Sequence, residues 1–227
     1  MTIPEGVENV TLMSVQTAGI NVSSNSLYLS RVNSGSIVFQ GSNSINRNLY
    51  VDKSIFNAAY YSGNGDIMFI EVENSTYSFL DDVNNAIATN CIITYNSTSG
   101  YSNNTTYNNC IFLDATFQNN PSNSSFNYCV FVDNGVIGIP TGTNHFGADA
   151  TTLFEGTTDN SPDGAWQLPE TSDAKGKGAG GIDCGIFGGD DPYILSGLPP
   201  VPLIYEMNTP STVGGTLNVN LKAKSNQ

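Results

Sequence analysis

The sequence has few basic residues, and this scarcity excludes several classes of function. Its 227 residues include seven Lys and Arg against 20 Asp and Glu, which gives a net charge of −13 at pH 7. Nucleic-acid recognition depends on clustered Lys and Arg, so a nucleic-acid partner is not expected. The same imbalance disfavours an anionic membrane surface as a partner.

Long apolar stretches are also missing. No run approaches the roughly 20 apolar residues that span a bilayer, so membrane insertion is not expected, and no signal peptide is visible after Met1. No window keeps a 3.6-residue apolar period beyond about two turns, which argues against long helices. Short apolar runs bounded by Asn, Ser and Gly recur instead, and this pattern predicts an all-β chain.

The few bases are absent from the middle of the chain. There is no Lys or Arg between Lys53 and Lys175, and this stretch holds thirteen acids, whereas seven acids balance seven bases outside it. Such a surface repels polyanionic ligands. Neutral partners, cations and self-association remain as its expected interactions.

What the sequence does contain is a repeat. Cys91, Cys110 and Cys129 stand nineteen residues apart, each followed by two apolar residues, and Ser54 begins a related segment upstream. We expect the intervening coil to pass near Val72. The spacing, the Asn-rich corners and the short strand signals predict a right-handed parallel β-helix (a β-solenoid) of about 18–20 residues per coil.

The repeated cysteines have a packing interpretation and a metal interpretation. Zinc sites gather thiolates from closely spaced pairs, whereas a spacing of nineteen places each thiol over the next inside the solenoid. Stacked positions also have poor geometry for disulfides. We therefore expect buried free thiols beside an interior ladder of Ile93, Phe112 and Phe131, with pairing of Cys184 to a neighbouring coil left open.

The chain is expected to contain three segments. Residues 1–190 would form the parallel β-helix, with loop excursions at about 140–181 and with Ile182 to Phe187 rejoining it as a last coil. Residues 191–202 are a Pro-rich linker, because prolines cannot donate to a central ladder. Residues 203–227 would form a C-terminal β-hairpin, which is marginal alone and so would pack on the solenoid, pair with another molecule or begin a further domain.

Two pairs of acids are candidate site residues. Asp114 and Asp133 share the nineteen-residue register, so their carboxylates would lie about 5 Å apart at one corner, as in retaining glycosidases or a Ca²⁺ site. Turn chemistry at a structural corner is the preferred interpretation of this pair. Glu71 and Glu73 would share one strand face and are weaker candidates for catalysis or calcium. No other metal or cofactor is expected.

The repeat and the segment after it resemble a known superfamily. The sequence resembles secreted right-handed parallel β-helix proteins of the pectate-lyase-like superfamily in three places. They are the coils of the type Asn109-Cys110-Ile111-Phe112, the tripeptide Trp166-Gln167-Leu168, and the segment Gly181 to Gly189. The resemblance covers roughly residues 85–200, and the tail from Asp191-Pro192 resembles Bacteroidetes surface proteins of unassigned function. It implies an extracellular or cell-surface location, in a superfamily of lyases, hydrolases, adhesins and structural proteins.

These observations favour a non-catalytic extracellular or cell-surface solenoid with a structural or adhesive role. It would self-associate through its ends and C-terminal tail, or bind another surface protein through that tail. The alternatives are a polysaccharide-acting enzyme, either a glycoside hydrolase or a lyase, and a carbohydrate-binding module for neutral glycans. Lyases of the superfamily use Arg or Lys as base, and only Arg31, Arg47 and Lys53 could serve on the coils.

Overall fold

The structure is a computed structural model that describes twelve parts of the chain. They are residues 1–5, 7–41, 47–62, 67–81, 83–94, 104–113, 123–132, 139, 142–158, 160–195, 203–208 and 220–224. The chain divides into two compact units, Met1–Tyr193 and Ile194–Gln227. The first unit is a solenoid of about six turns of parallel strands, which confirms the predicted all-β fold.

Two parallel sheets form the walls of the solenoid, and consecutive coils contribute neighbouring strands to each sheet. Sheet B contains seven described strands: β2 (Asn9–Met13), β4 (Ser26–Ser30), β6 (Asn48–Asp52), β9 (Phe69–Glu73), β12 (Ala86–Thr89), β14 (Thr105–Asn108) and β16 (Ser125–Asn127). Sheet A contains eleven: β1 (Thr2–Ile3), β3 (Gln16–Val22), β5 (Asn33–Phe39), β7 (Ile55–Phe56), β8 (Ala58–Tyr61), β10 (Thr76–Tyr77), β11 (Phe79–Leu80), β13 (Ile92–Ile93), β15 (Ile111–Phe112), β17 (Val130–Phe131) and β18 (His145–Phe146).

The length of a coil varies more than the cysteine spacing predicts. The nineteen-residue period holds between β12, β14 and β16. In sheet B, however, Ser26 pairs with Asn48, 22 residues later, whereas Ile70 pairs with Ala86, only 16 residues later. Strand register is therefore kept while the connections between strands absorb the difference.

One corner of the solenoid has the same backbone conformation in seven successive coils. At this corner, between a strand of sheet B and the next strand of sheet A, one residue has φ between 42° and 55°. We call these residues the corner column: Ser14, Arg31, Lys53, Asn74, Asn90, Asn109 and Tyr128. Asn tolerates this left-handed conformation at little cost, which confirms the expected role of Asn at corners.

The residue after each corner residue points into the solenoid, and the three cysteines belong to this set. Ser54 and Ser75 occupy the position that Cys91, Cys110 and Cys129 occupy in later coils, and each side chain donates to the carbonyl oxygen two residues before it. Hydroxyl and thiol thus make the same local contact. The expectation that the intervening coil aligns near Val72 was wrong: its equivalent residue is Ser75, and Val72 lies in sheet B.

All four cysteines are free and buried, which confirms the prediction for Cys91, Cys110 and Cys129 and answers the open question of whether Cys184 pairs. The expected interior ladder also forms beside them, because alternate residues of a strand share a face. Phe112 stacks on Phe131 with ring centroids 4.7 Å apart, and Phe131 stacks on Phe146 at 4.8 Å. The aromatic ladder therefore continues to the last described strand of sheet A.

A second hydrophobic core lies on the outer face of sheet A. Ile92, Ile111 and Val130 point away from the solenoid interior, yet each is fully buried by residues of the segment 148–193. This segment contains two short 3₁₀ helices, Gly164–Trp166 and Ala179–Gly181, and no described strand. Residues 182–187 are thus not a last coil, and that part of the prediction was wrong: they cover the outside of existing coils.

We call residues 182–191 the return segment, because it runs back along the corner column from later coils to earlier ones. The Cys184 thiol donates to the carbonyl oxygen of Tyr128 at 3.3 Å. The backbone N–H of Gly185 donates to the carbonyl oxygen of Asn109 at 2.9 Å. Further along, the ammonium group of Lys53 pairs with the carboxylate of Asp191 at 2.5 Å.

Two glycines of the return segment, Gly185 and Gly189, lie close to side chains of the coils. A Cβ atom at Gly185, where φ is 83°, would lie 2.8 Å from Cδ1 of Ile111, and one at Gly189 would lie 2.6 Å from Nδ2 of Asn90. Both glycines also have the left-handed backbone that other residues rarely adopt, and this conformation favours glycine where the segment crosses these coils.

The second unit contains the two antiparallel strands β19 (Leu203–Asn208) and β20 (Asn220–Lys224). Leu203 pairs with Lys224 and Asn208 with Asn220. The predicted C-terminal β-hairpin is thus formed by the described residues of this unit.

Candidate functional site

The predicted site residues fall into two groups. Asp114 and Asp133 lie outside the described residues, so their proximity stays a prediction. Glu71 and Glu73 lie on β9 and both point outward from sheet B, as expected for residues two apart in a strand. Among the described residues, no three His, Cys, Asp or Glu side chains are grouped so that they could hold a metal ion.

The outer face of sheet B carries an aromatic column that the sequence analysis missed. Strand pairing places Tyr28, Tyr50 and Glu71 at the same position of successive coils. The rings of Tyr28 and Tyr50 stack with centroids 4.6 Å apart and planes 6° from parallel, and Phe69 lies 6.0 Å from Tyr50 at a tilt of 56°. These three rings form the aromatic column. The shared apolar–Tyr–apolar pattern of Leu27 to Leu29 and Leu49 to Val51 could have revealed it.

Two shallow depressions lie on either side of this aromatic column, and together we call them the sheet B groove. One, of about 230 Å³, is lined by Thr11, Met13 and Tyr28 at one end and by Glu71 and Glu73 at the other. The other, of about 510 Å³, is lined by polar and apolar residues of four coils: Asn48, Met68, Phe69, Asn85, Ala86, Ile87, Asn104 and Thr106. Strand register places Asn48, Asn85 and Asn104 in line along this second depression.

Carboxylates give the first depression a negative character. Burial raises the pKa of Glu73 above its ordinary value, and the charges of Glu71, Asp52 and Asp191 raise it further. Burial likewise raises the pKa of Asp52, although the Lys53 ammonium opposes this shift. The Ser30 hydroxyl donates to Asp52 at 3.4 Å. Glu73 and Asp52 therefore retain protons to a higher pH than free carboxylic acids do.

The basic side chains of the coils are largely engaged in structural contacts. Arg47 is 1% exposed, donates to the carbonyl oxygen of Gln40 at 3.0 Å and lies over the Tyr61 ring at 5.0 Å. The Lys53 side chain is 7% exposed and paired with Asp191. Of the three bases that could serve a lyase, only Arg31 has an exposed side chain.

Two side chains outside the sheet B groove, His145 and Trp166, have structural surroundings. His145 is half-buried in β18 and pairs with Val130 through the backbone. Trp166 packs its ring edge-on against Phe154 at 5.3 Å, within the second core.

Comparison with protein-family models, with curated proteins and with solved structures finds no match for this chain. The resemblance to the pectate-lyase-like superfamily and to Bacteroidetes surface proteins therefore stays a prediction. In the described part of the chain, no helix has the length and apolar character needed to cross a membrane.

Proposed function

We propose that this chain is a non-catalytic adhesive β-solenoid of the cell exterior, and that it binds neutral glycans along the sheet B groove. The observation that carries the proposal is the aromatic column of Tyr28, Tyr50 and Phe69, flanked by aligned asparagines on a rigid wall of parallel strands. Aromatic rings offer apolar faces and edges to the C–H faces of a sugar. Asparagine amides both donate to and accept from hydroxyl groups.

Charge favours a neutral ligand over an acidic one. Asp52, Glu71 and Glu73 line one end of the groove, and within the described residues no Lys or Arg lines either depression. A polyuronate would meet repulsion there, whereas hydroxyl groups of a neutral sugar can donate to the carboxylates. The buried or paired state of Arg47 and Lys53 also argues against a lyase base on these coils.

A glycoside hydrolase is the second candidate, and Glu73 is the specific reason to retain it. A carboxylic acid with a raised pKa beside a second carboxylate is the arrangement that acid catalysis of glycoside cleavage uses. In that case Glu73 would donate a proton to the leaving oxygen and Asp52 or Glu71 would act as its partner.

The proposal is tested by binding and turnover measured on the same panel of soluble neutral glycans and polyuronates. We expect calorimetric binding of a neutral glycan, at least tenfold weaker for Tyr50→Ala, with no release of reducing ends. Tyr60→Ala is the matched control, because Tyr60 is a half-buried tyrosine of sheet A. Absence of binding across the panel would contradict the adhesive role. Reducing ends released by the wild type but not by Glu73→Gln would establish the hydrolase instead.

A further inference from the structure

The first coil of the solenoid leaves one edge of sheet B unfilled. Among the described residues, β2 pairs with β4 on one side only. Its other edge therefore presents unpaired backbone N–H and C=O groups, which are a template for another strand. The strand has no charged residue and no proline, the features that commonly protect such an edge.

Side-chain burial shows that this edge lacks a covering layer. Val10 and Leu12 occupy the same core positions as Leu27 and Leu29 of the next coil. The two leucines are at most 2% exposed, whereas Val10 and Leu12 are only partly buried. Nearby, the Met13 side chain is 63% exposed. A further strand over β2 would complete the burial that each later coil receives from its neighbour.

The C-terminal unit contains strands that lack such a neighbour. Within one chain, the described residues of β19 and β20 pair only with each other, in a two-stranded sheet. Two strands alone are marginally stable in water, and a third strand is needed for independent stability. Strand addition from a second copy of the chain would give both the β2 edge and the two-stranded sheet the neighbour that their described residues lack.

Charge is complementary between the two units. Met1–Tyr193 contains 19 acids and five bases, a net charge of −14, whereas Ile194–Gln227 contains one acid and two bases, a net charge of +1. Both bases of the second unit, Lys222 and Lys224, belong to β20. Exposed Glu5 and Glu8 precede β2. Attraction between these sites would orient the incoming strand.

We propose that β20 of one copy adds to the free edge of β2 in a second copy, so that chains join head to tail. The inference rests on the proposed adhesive role of the chain and names a second copy of the chain as a partner. The interface is heterologous, because it joins two different surfaces, and such contacts form open filaments or closed rings. Backbone hydrogen bonds would supply affinity, as in other strand additions.

The experiment measures association by sedimentation velocity over a range of concentrations. The wild type should sediment as species larger than one chain, in amounts that grow with concentration. Glu5→Lys/Glu8→Lys and Lys222→Glu/Lys224→Glu should each sediment as a single chain, because like charges then face each other. An equimolar mixture of the two variants should regain assembly, since every edge again meets a strand of opposite charge. Glu155→Lys/Lys177→Glu, which exchanges exposed charges elsewhere, should assemble like the wild type.

Disulfide trapping identifies which chain supplies the strand. Thr11→Cys in a tagged copy and Lys222→Cys in an untagged copy should form a disulfide between the two copies, because residue 222 shares the face of Thr11 when Leu221 and Ala223 cover Val10 and Leu12. The four native thiols stay buried in this experiment. A single-chain wild type at all concentrations, a mixture that fails to assemble, or a Thr11→Cys/Lys222→Cys chain that closes only on itself would each overturn the proposal. Glycan binding by the single-chain variants is measured separately, so loss of assembly and loss of adhesion are distinguished.

Discussion

The side chain of Asn74 donates a hydrogen bond to the carbonyl oxygen of Ile186 at 3.1 Å, joining residues 112 positions apart in the sequence. The same amide group donates to the carbonyl oxygen of Gly188 at 3.0 Å. Asn74 is buried, and it belongs to the corner column with φ of 42°. One side chain thus both shapes a corner and holds the return segment on the solenoid.

Asn74→Ala should lower the free energy of unfolding by about 2 to 3 kcal/mol. The change removes two hydrogen bonds, leaves two buried carbonyl oxygens without this donor and places alanine in a left-handed conformation. Urea unfolding followed by circular dichroism gives the value.

Asn104→Ala is the matched control for this change. Asn104 has φ of 57° but is exposed, and its side chain donates to the carbonyl oxygen of Asn84 at 3.0 Å. Asn104→Ala should lower the free energy of unfolding by about 1 kcal/mol, mainly because it places alanine in a left-handed backbone conformation. Equal losses in the two variants would contradict a role of Asn74 in holding the return segment.

Tyr77→Phe should raise the free energy of unfolding by about 1 kcal/mol. Tyr77 is 2% exposed, and its hydroxyl oxygen has no hydrogen-bond partner among the described residues. Removal of an unsatisfied buried hydroxyl is favourable because its desolvation is not offset. Thermal and urea unfolding both measure the change.

Tyr61→Phe provides the opposite case in the same interior. The Tyr61 hydroxyl donates to the carbonyl oxygen of Gly41, and its ring lies against the Arg47 guanidinium. We expect this variant to lose about 1 kcal/mol. If Tyr61→Phe were more stable than the wild type, or Tyr77→Phe less stable, the hydrogen bonding of these two buried hydroxyls would not be what determines their effect on stability.

The sequence predicted the solenoid because the Cys91 to Cys129 coils keep a constant length. It did not align Ser54 with Ser75, since the coils on either side of Ser75 are 21 and 16 residues long. Comparing Asp52-Lys53-Ser54-Ile55-Phe56 with Glu73-Asn74-Ser75-Thr76-Tyr77 residue by residue would have shown the match. The return segment has no such signal, because its contacts join residues that no local pattern relates.

The interior thiols should make the fold sensitive to alkali. Burial raises the pKa of Cys110 and Cys129 well above the ordinary value of 9.0. In the unfolded chain these thiols ionise near that value, so above about pH 9 the unfolded state binds fewer protons than the folded state. The free energy of unfolding should therefore fall as the pH rises from 9 to 10.5.

Cys110→Ser tests the origin of this alkaline loss. Serine occupies the equivalent position at Ser54 and Ser75, so the variant should fold, and its hydroxyl does not ionise in this range. Its unfolding free energy should fall less steeply with pH than that of the wild type. Iodoacetamide labelling should meanwhile follow global unfolding, because all four thiols are buried.

The carboxylates of the sheet B groove should produce a pH dependence of the same sign at lower pH, because here too the folded-state pKa is raised. Because the folded-state pKa of Glu73 is raised above its ordinary value of 4.5, the folded chain binds more protons than the unfolded chain between these two values. The contribution of Glu73 to stability is therefore lost as the pH rises through its folded pKa. As the pH falls from 7 toward 4.5, unfolding should become less favourable, because protonation of Glu73 relieves the cost of burying its charge and its repulsion with Glu71 and Asp52.

Glu73→Gln should flatten this dependence and stabilise the fold slightly at pH 7, since it removes one charge from the acidic cluster without removing the side chain. Glu155→Gln, an exposed carboxylate outside the cluster, should leave the dependence unchanged. The measurement is urea unfolding at pH 5, 6 and 7 for the three proteins. If Glu73→Gln were less stable than the wild type at pH 7, the Glu73 charge would be contributing a favourable contact. Neither the burial of its charge nor repulsion from Glu71 and Asp52 could then be the dominant effect on Glu73.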